Sequence, residues 1–185
     1  MMGVLNLVAK ALRRFRKDTD GNATIEFVLV LPAFMLLFTS AYEAGMLSTR
    51  HVMLERGLDV AVREVRIGKI KAAPDKMHQV ISQRICDVAS IIPECMKNLR
   101  LEMINRDPRA WTNISDNITC VDRSLPNQPT VNLNGGGNNE LMVLRVCSLF
   151  DPMIPTTGLG KEIPKESGNA YALVATSSYV MEPFQ

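Results

Sequence analysis

The stretch GNATIEFVLVLPAFMLLFTSAY, residues 21–42, decides the architecture. From Ile25 to Tyr42 only Glu26, Thr39 and Ser40 interrupt its apolar character. Counted from Asn22 the run holds ~20 residues, about 30 Å as a helix, which matches the hydrocarbon thickness of a bilayer. Ahead of it stand Lys10, Arg13, Arg14, Arg16 and Lys17 against only Asp18 and Asp20. A basic cluster so close to a span holds the amino end in the cytoplasm, so the rest of the chain is expected outside.

Glu26 is the informative exception within this run. An ionisable group inside a membrane helix costs on the order of 2.5 to 3.5 kcal/mol even on lenient insertion scales, which makes function its default explanation. A secretory signal would have a shorter apolar core followed by small residues at the cut. Thr39, Ser40 and Ala41 could be read that way, giving a soluble secreted protein cut near Ala41. They follow a run too long for that class, with Glu26 and Pro32 inside it. Cleavage after Gly21 fits better: a polar basic leader, a glycine before the cut and a mature chain that keeps its helix as an anchor. Pro32 removes one helical hydrogen bond and predicts a kink or a locally loosened turn, passive or a hinge for packing the subunit.

Residues 21–32, GNATIEFVLVLP, resemble the processing site of TadE-like proteins, the minor pilins or pseudopilins of the bacterial tight-adherence (Tad) pilus. The resemblance continues through an acidic residue and a glycine at the outer end of the span, Glu43 and Gly45. It then takes in the amphipathic, arginine-rich stretch from Asp59 to Arg66. Beyond that stretch only a small exported domain with late strands is shared. The major pilin of such systems is much shorter and typically has Glu-Tyr where this chain has Glu26 and Phe27, so length and Phe27 both favour the minor class.

The resemblance implies cleavage between Gly21 and Asn22 by a prepilin peptidase, a role in pilus assembly and adhesion, and no enzymatic activity. The partners it implies are that peptidase, other pilins and minor pilins, the Tad inner-membrane assembly platform and the membrane lipid. It also implies that Glu26 pairs with the free amino terminus of an adjoining subunit. A charge pair at about 4 Å and an effective dielectric near 20 is worth roughly 4 kcal/mol before desolvation, comparable to the insertion cost. Assembly can therefore relieve what insertion strains. Glu26 without such a partner would be a protonated carboxyl buried in the bilayer.

The 185 residues, 46 % hydrophobic with net charge +2, fit a leader, one membrane helix and one modest domain. Positive charge concentrates in the leader, and with one Trp and three Tyr available for stacking no nucleic-acid partner is indicated. His51 and His78 both fall in helical patterns, which makes a Ser-His or Cys-His pair hard to assemble and leaves them as solvated or packing residues. The sequons at Asn113 and Asn117 are incidental in a bacterial chain. No cofactor is indicated.

All four cysteines, Cys86, Cys95, Cys120 and Cys147, follow the span. In an oxidising compartment an even count favours disulfides, for which three connectivities are possible. We expect Cys86 with Cys95 and Cys120 with Cys147. A continuous helix from 86 to 95 would hold the first pair about 13 Å apart, beyond the roughly 7 Å limit, unless Pro93 ends the helix between them. A zinc site is the competing reading, but no Cys-x2-Cys spacing is present and both histidines lie upstream of every cysteine.

Leu47, Leu54, Leu58, Ala61 or Val62, and Val65 recur near the 3.6 period, with Arg50, Arg56, Asp59, Arg63 and Arg66 elsewhere. The span is expected to continue as one helix to about Gly68, its apolar stripe packing on the protein's own strands or, alternatively, on neighbouring pilin helices. A second helix is expected from Pro74 and Asp75, with Met77, Ile81, Ile85, Val88 and Ile92 as its apolar positions and Pro93 as its stop. Strands are expected at Leu99 to Ile104, Leu141 to Phe150 and Tyr171 to Met181. Residues 134–139, NGGGNN, read as a hairpin loop, since a phosphate cradle would need a Gly-Lys-Ser/Thr ending.

The expected fold class is α+β: a long N-terminal helix, transmembrane in its first half, followed by a small periplasmic domain with an antiparallel sheet. The expected divisions are a cytoplasmic leader over 1–21, a transmembrane helix over 22–46 and a periplasmic domain over 47–185. The chain is expected single-pass in the bacterial inner membrane, or carried in the pilus. The rival reading is a membrane-tethered periplasmic binding or enzymatic domain with an uncleaved signal anchor.

Overall fold

One continuous helix, α1, runs from Asn22 to Arg66, 45 residues, and the folded domain packs along it from its middle turns onward. The structure is a computed structural model and describes residues 22–70, 72–107, 109–110, 113–115, 117–125, 128 and 139–181. The basic leader, Gly21 and the glycine-rich stretch up to Asn138 lie outside the described residues. The helix passes through Pro32 without a break. It ends two residues short of the expected Gly68, which instead serves as the cap. Gly68 has φ +68, its N–H reaches the Val65 carbonyl at 3.0 Å, and the Lys69 N–H reaches the Glu64 carbonyl at 2.9 Å. That pair of bonds satisfies carbonyls the last turn leaves open, and the left-handed geometry suits a residue without Cβ.

Helix α2 spans Pro74–Val88 and packs beside α1. Ile81 and Ile85 are fully buried, Met77 partly so, and Ile92 continues the buried line past the helix end. The helix stops at Val88, well before the expected Pro93. The Ala89 N–H still reaches the Ile85 carbonyl at 2.8 Å, and the chain then turns through Ile92, whose N–H bonds the Ala89 carbonyl at 3.0 Å. The residue before a proline avoids the helical region, so Pro93 acts from a distance by forbidding the turn that leads into it. A left-handed Glu94, φ 48, completes the reversal into the single turn α3, Cys95–Asn98.

Three strands follow: β1 Leu99–Arg106, β2 Leu141–Phe150 and β3 Tyr171–Val180. They form an antiparallel meander in the order β1-β2-β3, with Leu101 opposite Val146 and Val146 opposite Ala175. One face, carrying Leu101, Met103, Leu144, Val146, Phe150 and Tyr171, closes a single core with Leu54, Leu58, Ala61 and Val65 of α1 and with α2. The opposite face is covered around β2 as well. Arg145 donates to the Ser115 carbonyl, and Val121 packs with Leu149 and Ala170. Because β2 is covered on both faces it is buried from Met142 to Phe150, Arg145 and Ser148 included, whereas β3 at the edge alternates. The fold is α+β, a long apolar N-terminal helix followed by a small antiparallel three-stranded sheet with helices.

The α1/α2 crossing depends on Gly57. A Cβ there would lie 2.9 Å from the Ile85 carbonyl oxygen and 3.3 Å from the Ala89 Cβ, so the two backbones approach at the limit that glycine allows. Overpacking such a contact costs about 1 to 3 kcal/mol. Gly57→Leu is therefore expected to lower the Tm of the detergent-solubilised chain by several degrees, checked by thermal denaturation. A wild-type Tm would show that the helices are not held in this register. Beyond the crossing, Glu64 ties the helices together. Its Oε2 accepts from Arg84 Nε and its Oε1 from Arg84 Nη2, both at 2.8 Å, while Lys69 Nζ adds a contact at 2.9 Å. The Arg84 hydrogen bond first, and Lys69 second, hold the Glu64 carboxyl below the usual glutamate range.

Candidate assembly helix and its anchorage

The early turns of α1 stand clear of the folded domain. From Ala23 to Val30, and again from Pro32 to Phe38, every residue is exposed, Leu29 at 72 % and Leu37 at 73 %. A stretch of helix so apolar and so exposed requires an apolar surrounding, supplied by lipid or by other helices. Among the described residues α1 is the helix long and apolar enough to cross a membrane, and it gives the chain a candidate membrane anchor near its amino end. Phe34 and Phe38 stack at 6.3 Å, and the Thr39 hydroxyl bonds back to the Met35 carbonyl at 2.9 Å, hiding its polarity against the helix.

Of the residues singled out in the sequence, Asn22 begins α1, Glu26 and Phe27 are exposed one turn later, and Pro32 is exposed within the helix. All four lie on one helix, and Glu26, Phe27 and Pro32 are exposed there. The cysteines join as Cys86 with Cys95 and Cys120 with Cys147, at Cα separations of 5.7 and 5.3 Å. The first bridge fastens α2 to α3. The second fastens the segment covering the outer sheet face to β2. With all four oxidised, none is left as a thiolate for a metal.

The domain grips α1 through two charged residues whose roles the sequence leaves hidden. Glu43 is buried, and its carboxylate accepts the backbone N–H of Met153 at 3.0 and 3.1 Å and that of Ile154 at 3.3 Å. Arg50, two turns later, is buried too. Its Nη1 donates to Tyr171 Oη at 2.8 Å and to the Asp151 carbonyl at 3.3 Å, and its guanidinium lies 5.2 Å from the centre of the Phe150 ring. The segment from Asp151 to Ile154 is thus clasped at both ends by one face of α1. Burial, the dominant influence, raises the Tyr171 phenol above its ordinary pKa against the opposing pull of Arg50, so the phenol stays neutral as acceptor of the Arg50 bond. Arg50 occupies the same helical face as Leu47 and Leu54, not the polar side where its residue type places it. Glu43 and Arg50 continue the Leu47, Leu54, Leu58 line at steps of four, three, four and four, and that register is the signal that finds them.

His51 and His78 take packing roles. His51 Nε2 lies 3.1 Å from the Val174 carbonyl on edge strand β3. Burial first, and the nearby Arg100 second, lower the His78 pKa. A cleft of about 850 Å³ opens beside α3 between Pro93 and Asp151. In its lining Arg123 pairs with Asp151 at 2.8 Å and Lys97 with Glu94 at 3.5 Å, while Asp122 accepts from the N–H and hydroxyl of Ser124.

No curated protein and no solved structure matches the chain. The family resemblance read from the sequence falls on the helix: residues 21–63, which include Glu26, Glu43 and Arg50 and stop short of the sheet, match the TadE-like protein family.

Proposed function

We propose that this chain is a minor pilin or pseudopilin of a Tad-type pilus, working by assembly and not by catalysis. The observation that carries the reading is a single helix whose early turns are apolar and exposed and whose remainder is packed in a folded domain, with all but its last three residues inside the TadE-like match. In this reading a prepilin peptidase cuts between Gly21 and Asn22, the first half of α1 crosses the inner membrane, and the domain with its two disulfides lies in the periplasm. Glu26 becomes the fifth residue of the mature chain and meets the amino terminus of a neighbouring subunit. Phe27 and the turns beyond it supply the apolar packing surface. The assembly seats the chain among other pilins and the inner-membrane platform, where it supports pilus formation and adhesion.

Photocrosslinkers placed at Leu29 and Leu37 in cells that make the pilus test this. The expected product joins this chain to pilin-type subunits or platform proteins through either position. Crosslinks to lipid alone, in cells with abundant pili, would favour the tethered-domain alternative.

A further inference from the structure

The apolar run of α1 and the folded domain overlap along the helix axis. After β2 the chain descends beside α1 into the short helix α4, Gly158–Glu162. Gly158, at φ +59, lies so close that a Cβ would meet Ser40 Oγ at 2.6 Å and the Leu36 carbonyl at 4.0 Å. One turn further along, Glu43 holds Met153 and Ile154. The domain therefore reaches α1 from Leu36 onward, while the apolar run continues past it to Tyr42. The helix wholly clear of the domain, residues 23–35, is about 20 Å long, against roughly 30 Å of hydrocarbon. Closing that gap by thinning the bilayer costs a fraction of a kcal/mol per Å. Lowering the rim of the domain into the interface avoids this cost.

The rim is suited to that position. Residues 152–160 read PMIPTTGLG, with no charge between Asp151 and Lys161, and Met153 is 49 % exposed. The N–H groups of Met153 and Ile154 are already occupied by Glu43, Pro152 and Pro155 have none, and the Leu159 carbonyl accepts the Ile163 N–H at 3.1 Å. Part of the segment's backbone is thus already satisfied, and the hydrated headgroup region can serve the rest. Resting on the membrane-spanning reading of α1, we infer that residues 152–160 form an interfacial foot, seated among the headgroups of the periplasmic leaflet and setting the height at which the domain stands over the lipid.

Depth-dependent fluorescence quenching tests the foot on the full chain, reconstituted in phosphatidylcholine and phosphatidylglycerol bilayers. With Trp111→Phe as background, single reporters are Thr156→Trp and Pro155→Trp in the foot, Phe34→Trp in the span and Val180→Trp, exposed at the end of β3 away from Tyr171 and Phe150. The foot reporters are expected to be blue-shifted and quenched most by lipids brominated near the headgroup. Phe34→Trp should be quenched most by lipids brominated toward the chain ends, and Val180→Trp by neither. Foot reporters that escape quenching as Val180→Trp does, while Phe34→Trp is quenched, would overturn the foot and leave the anchor standing. Escape at Phe34→Trp as well would overturn the spanning reading and the foot with it.

Discussion

Arg50→Ala is expected to lower the stability of the domain by about 2 to 4 kcal/mol, whereas Arg56→Ala on the same helix stays within about 0.5 kcal/mol. The difference follows from surroundings, since the two side chains are chemically identical. Arg56 is exposed, whereas Arg50 is buried between the Tyr171 hydroxyl, the Asp151 carbonyl and the Phe150 ring. Truncation at 50 leaves the buried Tyr171 phenol short of a donor, worth on the order of 1 to 3 kcal/mol, frees the part-buried Asp151 carbonyl and removes the cation from the aromatic face. Glu43→Leu should cost a similar amount by orphaning the N–H groups of Met153 and Ile154. Thermal denaturation in detergent reads both, with Tm falling by roughly 5 to 15 °C for a chain of this size. If both variants melted with Arg56→Ala, the domain would not be held to α1 by this clasp.

Glu26→Ala is expected to leave folding and leader cleavage intact while pilus incorporation falls at least about tenfold. The carboxylate is exposed on α1 and far from the clasp, so the domain gains and loses nothing when it is removed. Insertion becomes easier, because the alanine helix no longer carries an ionisable group into lipid. What is lost is the attraction to a neighbour's amino terminus, roughly 4 kcal/mol before desolvation, and even a third of that is a factor of ten in occupancy. Immunoblots of sheared pili against whole-cell protein separate incorporation from expression. Normal incorporation of the alanine variant would make Glu26 a passenger and favour a tethered domain.

Much of this architecture is legible in the sequence because its patterns are one-dimensional. The length of α1 follows from an apolar run joined to a 3.6-residue stripe, and both late strands follow from β-branched and aromatic runs between turn signals. The stripe meets β3 and α2 of the same chain, the first of the two expected alternatives. The missing parts are three-dimensional. Residue type places Arg50 off the stripe, and Glu43 enters only through the family resemblance, yet a charged side chain can line an apolar stripe when a distant loop brings it partners, here residues 151–154 and Tyr171. The early end of α2 at Val88 was hidden because Pro93 acts through the turn before it. The strap over the outer sheet face around Cys120 has no periodicity at all and is recognisable only through its bridge to Cys147. For the assembly site the sequence names Asn22, Glu26, Phe27 and Pro32, and the structure adds that Glu26, Phe27 and Pro32 stand exposed on α1.

The central claim is that α1 enters the membrane as a prepilin and leaves its leader behind. Coexpression with a prepilin peptidase, followed by sequencing of the amino terminus of the membrane-extracted chain, reads this directly. The expected mature chain begins at Asn22, with Glu26 as its fifth residue. A chain that retains Met1, or begins near Ala41, while the same peptidase processes a known prepilin in the same cells, would contradict it.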